Sequence, residues 1–345
     1  MAAPRKFENL KFALYPNPEE TWMFESYYRN GEWDAGKVSH YHPLQLAPAA
    51  NILNYGQGIF EGMKAYRTAD NAIVMFRPEE NAKRFANSCE AMAMARVPEE
   101  KFLQAVKDTV VANAEFVPET TDGSRSLYLR PVCIGIEPQL GVKAAKEYLF
   151  YIYVSPVGPY YEGVGVIDLL VTDTHRAAPH GTGHAKAVCN YAGSMRPARE
   201  AVAQGFNGVL FLDARHDQYV EEAGAANLFA LMEDNVLVTP KLGSILPGIT
   251  RESIIRLAKE QYGMRVEERN LPIDELCNDA LECFVCGTGA IITSVRKVSW
   301  ESNIFNINRN DYQLAHRVYD DLIGIQLQQK PDPYHWVQTI VPAQK

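Results

Sequence analysis

Near the middle of the chain runs Pro156-Val-Gly-Pro-Tyr-Tyr-Glu-Gly-Val-Gly165, with two prolines and three glycines in ten residues. Proline lacks the N–H that a helix or a central strand needs, and glycine has the most backbone freedom to lose on ordering. Strand-like sequence lies on both sides, so this run marks the best domain boundary in the chain. The 345 residues suffice for two domains, or one large one, with an ample core.

Before the boundary, Ile73-Val-Met-Phe76 reads as a strand. Arg77-Pro78 then turns into a helix over Glu79–Ala95, where Ala82, Phe85, Ala86, Cys89, Met92 and Ala93 recur at helical spacing. Glu99–Phe116 is a second helix, and Ser126–Val132 and Tyr148–Val154 are strands rich in aromatic and β-branched residues. After the boundary, strands at Ile167–Thr172, Gly208–Leu212, Leu228–Met232 and Val236–Val238 are interspersed with helices at Met195–Gln204, Thr250–Tyr262 and Asp311–Ile325. No regular βαβ spacing emerges, which predicts a mixed α/β (α+β) fold in two domains.

Charge and cysteine content narrow the function. Lys plus Arg is 34 and Asp plus Glu is 42, a formal net charge of −8, which argues against a sequence-blind nucleic-acid binder and against docking on an anionic membrane. No run reaches the roughly 18 apolar residues of a membrane span, and the opening MAAPRKFENLKF is too charged for a secretory signal. Six cysteines are too few for a disulfide scaffold and suit a reducing, cytoplasmic setting. Cys283-Phe-Val-Cys286 has no second close pair to complete a zinc ribbon and sits in an apolar run. Buried core thiols and no metal site are expected.

Four stretches carry candidate chemistry. In Leu246-Pro-Gly-Ile-Thr250 a tight turn leads into an amphipathic helix, leaving the N–H groups of Ile249 and Thr250 available to an anion such as phosphate. A capped helix after a turn accounts for the same residues. Cys286-Gly-Thr-Gly-Ala290 offers a second set of backbone N–H groups and a hydroxyl, although as a lone G-T-G it reads as a plain turn; it is neither a Walker A loop nor a dinucleotide fingerprint. Lys186 follows a Gly-rich approach and precedes apolar residues, with Tyr191 five residues on. A partly buried lysine can attack carbonyls, whereas a loop lysine is merely solvated. Glu221-Glu222 enters a run of small residues; in an extended chain one of the two points inward. Together these stretches supply what pyridoxal phosphate needs: a Schiff-base lysine, a carboxylate for the pyridine nitrogen and a phosphate cup.

The sequence resembles the class IV (fold type IV) pyridoxal-phosphate aminotransferases, most of all the branched-chain amino acid aminotransferases. The matching stretches run in one order: Asn54-Tyr-Gly-Gln-Gly-Ile-Phe-Glu-Gly-Met-Lys-Ala-Tyr66, Phe76-Arg-Pro78 with Asn81-Ala-Lys-Arg84, Ser126-Leu-Tyr-Leu-Arg-Pro131, Gly181-Thr-Gly183 with Lys186 and Asn190-Tyr191, Glu222 with Asn227, Leu246-Pro-Gly248 and Gly287-Thr288. The resemblance implies a two-domain architecture like that of D-amino acid aminotransferase, with a small domain over residues 1–160, a linker over 161–174 and a large domain over 175–345 that carries the lysine. It implies pyridoxal 5′-phosphate bound by Arg84, Lys186, Tyr191, Glu222, Ile249, Thr250 and Thr288. Lys186 would carry the cofactor and move the proton between Cα and C4′. Tyr191 would bond the phenolate oxygen, and Glu222 would keep the pyridine nitrogen protonated. Substrate would meet Tyr55, Phe60, Tyr128, Arg130, Tyr160, Gly289 and Ala290, with Arg130 matched to a second carboxylate. The implied activity passes the amino group of L-leucine, L-isoleucine or L-valine to 2-oxoglutarate in a homodimer.

Some positions depart from the relatives' pattern. Val188 and Cys189 replace two glycines, Ala225 and Ala226 follow Glu222-Ala-Gly, and Thr21-Trp22-Met23 stands where Asp-His-Met is frequent. Ala290 and Thr293 occupy the places of a redox C-x-x-C, so that switch is expected to be absent. These departures keep open a class IV transaminase or lyase for another amino acid.

Overall fold

The computed structural model describes residues 4–160 and 165–343. Residues 161–164 of the Pro/Gly run and of the expected linker lie outside them. The chain divides into two compact units. One comprises Met1–Tyr160, Ala185–Cys189 and Leu322–Lys345; the other comprises Tyr161–His184 and Asn190–Asp321. The five residues around Lys186 group with the first unit rather than with the residues on either side of them. The Lys186 carbonyl accepts from Phe60 N–H at 3.1 Å, and Ala187 bridges Ile59, so backbone pairing ties the segment there.

In the first unit the strands are β1 (Trp22–Arg29), β2 (Glu32–Trp33), β3 (Lys37–His40), β4 (Gly58–Phe60), β5 (Met63–Arg67), β6 (Ile73–Phe76), β7 (Ser126–Gly135) and β8 (Tyr148–Val157). The C-terminal strand β18 (Val337–Val341) joins them. The sheet order is β18-β6-β5-β7-β8-β1-β2, with β3 beside β1 and β4 beside β7. Helices α1 (Asn51–Tyr55), α2 (Pro78–Ala91) and α3 (Glu99–Ala112) accompany it. One sheet face packs Met63, Ala65, Leu127, Leu129 and Phe150 with Phe85 of α2 and Phe102 of α3. The Phe85, Phe102 and Phe150 rings lie 5.0 to 5.9 Å apart. Full burial of each such ring contributes about 1.5–3 kcal/mol. Helix α2 stops at Ala91, short of the expected Ala95, because Ala93 turns to φ 52°.

The second unit holds β9 (Val166–Val171), α4 (Val188–Ala192), α5 (Met195–Ala203), β10 (Gly208–Leu212), β11 (Val220–Ala223), β12 (Asn227–Met232), β13 (Val236–Pro240), α6 (Ile249–Glu260), β14 (Arg265–Arg269), α7 (Ile273–Asn278), β15 (Glu282–Gly287), β16 (Ile291–Trp300) and β17 (Asn303–Asn306). The first two residues of α4 group with the first unit. Helix α8 (Gln313–Gln326) precedes β18 at the end of the chain. The sheet order is β11-β10-β9-β16-β15-β12-β13-β14, with β17 beside β16. The β9–β10, β9–β16 and β13–β14 pairs are parallel, whereas β12–β15 and β15–β16, for example, are antiparallel. This is the mixed α+β character expected. Cys283 and Cys286 are buried free thiols in β15. Among the described residues no helix is long and apolar enough to cross a membrane.

Candidate active site

Pro78 fixes the start of α2, and from there Asn81, Arg84 and Ser88 fall at helical intervals on one face. All three reach the β4–β5 connection or the Lys186 segment. Arg84 grips Glu61 with two parallel bonds, Nε to Oε1 at 2.7 Å and Nη2 to Oε2 at 2.9 Å. Asn81 donates to the same Oε2 at 2.8 Å, and Ser88 Oγ accepts the Lys186 N–H at 3.0 Å. Burial pushes the Glu61 carboxyl up, but Arg84, Lys186 and the Asn81 bond together hold it below its ordinary value. Glu61 is 0% exposed, so a buried, charged partner fixes the orientation of the Arg84 guanidinium.

Lys186 is half-buried, with Nζ 4.9 Å from the Phe60 ring centroid. Arg130 lies over the same ring at 4.9 Å and donates to the Tyr128 hydroxyl at 3.2 Å. The Tyr128 hydroxyl lies where a side chain at residue 62 would begin: a Cβ on Gly62 would stand 2.0 Å from it. That close approach is the reason for glycine in Phe60-Glu-Gly62. Phe12 bridges Tyr128 and Tyr160, with ring centroids 5.1 and 4.7 Å away. Tyr55, at the exposed end of α1, donates to the Leu140 carbonyl. The first unit thus gathers Lys186, Arg84, Phe60, Tyr128, Arg130 and Tyr160, with Tyr55 at its surface.

The second unit holds the remaining expected residues. Both members of the Glu221–Glu222 pair are buried, at 7% and 1% exposure, because β11 is covered on both faces. Glu222 Oε1 accepts from Asn227 Nδ2 at 3.1 Å and from Leu246 N–H at 3.3 Å. Its Oε2 meets the buried Arg176 guanidinium. Arg176 also lies 5.3 Å from the Tyr191 ring centroid, so one cation links the two residues expected at the pyridine nitrogen and the phenolate oxygen. Glu221 accepts from Ser244, yet burial still raises its carboxyl above the ordinary value.

Helix α6 begins after Gly248 with no side-chain cap. A Cβ at Gly248 would stand 2.0 Å from Asn227 Oδ1, so the turn closes only with glycine. The first-turn N–H groups of Ile249 and Thr250 therefore remain for an anion. Thr288, Gly289 and Ala290 form the half-buried turn between β15 and β16, where Gly287 opposes Ile291. Within the second unit, a buried anchored carboxylate and an uncapped helix terminus suit the ring nitrogen and the phosphate of pyridoxal phosphate. Sequence reasoning missed Arg176 and Glu61. A cation ten residues before Lys186 among small residues, and an acid inside an apolar run, were their only signals.

The family model for class IV amino-transferases matches residues 58–298, and the chain belongs to that family. Its members are transaminases that use pyridoxal phosphate. The chain is 40% identical over 334 residues to the branched-chain-amino-acid aminotransferase of Helicobacter pylori, with 96% of each covered. It is 43% identical over 312 residues to the chloroplastic branched-chain-amino-acid aminotransferase 5 of Arabidopsis thaliana, covering 89% of this chain and 74% of that protein. Its structure is similar to the crystal structure of the branched-chain aminotransferase from the archaeon Thermoproteus uzoniensis with norvaline. The TM-score is 0.77 and the identity 26%, over 92% and 99% of the two chains.

Proposed function

We propose that this chain moves the amino group of L-leucine, L-isoleucine or L-valine to 2-oxoglutarate, leaving the branched 2-oxo acid and L-glutamate. The observation that carries the reading is the buried Glu222 carboxylate, anchored by Asn227, Leu246 and Arg176. In a family of this chemistry, a buried carboxylate whose orientation is fixed on three sides is suited to face the ring nitrogen of the cofactor. When bound, pyridoxal phosphate supplies the carbonyl that takes the amine and the ring that withdraws electrons from Cα.

The chain's own residues do the rest. Lys186 would hold the cofactor through its carbonyl carbon, and its amine would carry the proton taken from the substrate Cα. Glu222 keeps the ring nitrogen protonated, and Tyr191 bonds the phenolate oxygen. Arg84, Ile249, Thr250 and Thr288 hold the phosphate. Phe60, Tyr128, Tyr160 and Tyr55 present an apolar, aromatic surface to an aliphatic side chain, the Gly289–Ala290 turn receives the α-carboxylate, and Arg130 answers a second carboxylate. The enzyme works as a homodimer. Six free cysteines support a cytoplasmic setting.

The test is a half-reaction. L-Leucine and L-glutamate, each added alone to the cofactor-loaded protein, should bleach the visible band, whereas L-alanine and D-alanine should not. Borohydride should fix the phosphopyridoxyl group on the peptide carrying Lys186. A band that ignores leucine but answers another donor would move the substrate. Fixation on a different lysine would overturn the site.

A further inference from the structure

Strands β5 and β7 pair with Met63 opposite Leu129, Lys64 opposite Tyr128 and Ala65 opposite Leu127. Cross-strand partners share a face. Met63, Ala65, Leu127 and Leu129 all enter the core with Phe85 and Phe102. Lys64, Tyr128 and Arg130 therefore stand on the opposite face. Phe60 joins them: it opposes Val132, two residues beyond Arg130, and the Arg130 guanidinium lies 4.9 Å from its ring and 5.3 Å from that of Tyr128. A lysine with no part in the mechanism above thus shares the sheet face that meets the substrate side chain.

That face has to accept two unlike side chains in alternate half-reactions. A second carboxylate is costly to bury without a cation, and a fixed cation is costly to bury against an aliphatic chain. Building on the branched-chain reading, we propose that Lys64 determines this dual specificity, meeting the second carboxylate of the dicarboxylate substrate as an ammonium and the aliphatic side chain as a neutral amine. Arg130 cannot make that change, because a guanidinium stays charged. Burial pushes the Lys64 amine down to about 7, where either form is accessible. Among the described residues, the charged and titratable groups on its face are Tyr66 of β5, Tyr128 and Arg130 of β7, Tyr151 and Tyr153 of β8 opposite Val132 and Arg130, and Glu25 of β1 opposite Tyr151, with Lys186 beyond Phe60. On the other flank, the β6 residue one step past the Ala65–Met75 pair is Phe76, which is not titratable. The dicarboxylate draws one proton from solvent onto Lys64 Nζ, and the aliphatic substrate releases one.

The cofactor-loaded protein can be titrated calorimetrically with glutarate and, separately, with 4-methylpentanoate. These two acids lack the amino group, so neither turnover nor amine ionisation enters. Between pH 6 and pH 8.5 the ratio of the two affinities should shift against glutarate by roughly 300-fold, as expected when one acid binds the charged form and the other the neutral form of a single group. Glutarate binding near pH 7.5 should show buffer-dependent proton uptake. Lys64→Arg should flatten the ratio in favour of glutarate, and Lys64→Met should flatten it in favour of 4-methylpentanoate. A pH-independent ratio in the unaltered protein, or a pH dependence surviving in both variants, overturns the role of Lys64 and leaves the transaminase reading standing. Failure of both acids to bind at any pH would instead remove the substrate reading on which this inference rests.

Discussion

A carboxylate at 1% exposure is tolerable only when its charge is matched, and Glu222 is matched by Arg176. Glu222→Gln keeps the shape and removes the charge. Among the described residues, the buried Arg176 then keeps Tyr191 and the field of Glu221. Breaking such a pair costs about 3 kcal/mol, which should be measurable as a fall in the urea midpoint of the cofactor-free protein. The same change removes the anion proposed for the ring nitrogen, so the leucine half-reaction should slow by about 10²-fold or more. Adding Arg176→Met, which replaces the cation with an apolar side chain, should recover most of the stability and none of the rate. Recovery of both would mean that Glu222 serves the fold alone.

At the scale of elements, Glu282 does for α8 what no side chain does for α6. It is 0% exposed at the start of β15. It accepts from Ala315 N–H at 2.6 Å and from Leu314 N–H at 3.1 Å, in the first turn of α8. Burial outweighs these bonds and raises its carboxyl above the ordinary value. A raised folded value means that its stabilising contribution is full below the unfolded carboxyl range and is lost as pH rises through the folded value. Glu282→Ala should cost about 1–2 kcal/mol through the lost cap. Glu282→Gln should flatten the slope of stability against pH in the mildly acidic range; an unchanged slope in urea titrations would contradict the assignment. Helices with a strong local signal were legible in the sequence. Pro78 and the apolar spacing marked α2, and Gly248 marked the start of α6. Strands β6 and β10 were legible to the residue from their apolar runs. Strand β7 runs on to Gly135, past the expected Val132, because its pairing with β8 continues through Pro131. Strand β14 was not legible, since Arg-Val-Glu-Glu-Arg is polar and pairs only because β13 lies beside it. Neither sheet order nor the Arg176–Glu222 contact has a local signature, since both join residues far apart in sequence.

For the whole molecule, the proposed dimer has a concrete physical motive. The β7–β8 connection carries Leu140 at 91% exposure and Val142 at 86%, and α1 adds Leu53 at 60% and Tyr55 at 37%. Single exposed aliphatics are ordinary, but here the Tyr55 hydroxyl donates to the Leu140 carbonyl, which joins the two segments into one apolar surface. Tyr55 is also a candidate substrate residue, so whatever covers this surface bears on the site. A second copy of the chain would bury both Leu140 and Val142, each stabilising by about 1.5–3 kcal/mol. Leu140→Asp with Val142→Asp should therefore weaken self-association by at least about 10²-fold. In sedimentation velocity the altered chain should run as a monomer at concentrations where the unaltered one is dimeric. The leucine half-reaction should weaken in step with dissociation, while circular dichroism stays that of a folded chain. An unaltered protein that is monomeric and fully active at the assay concentration would sink the dimer. A monomeric variant with full activity would show instead that the partner supports stability and contributes nothing to the site.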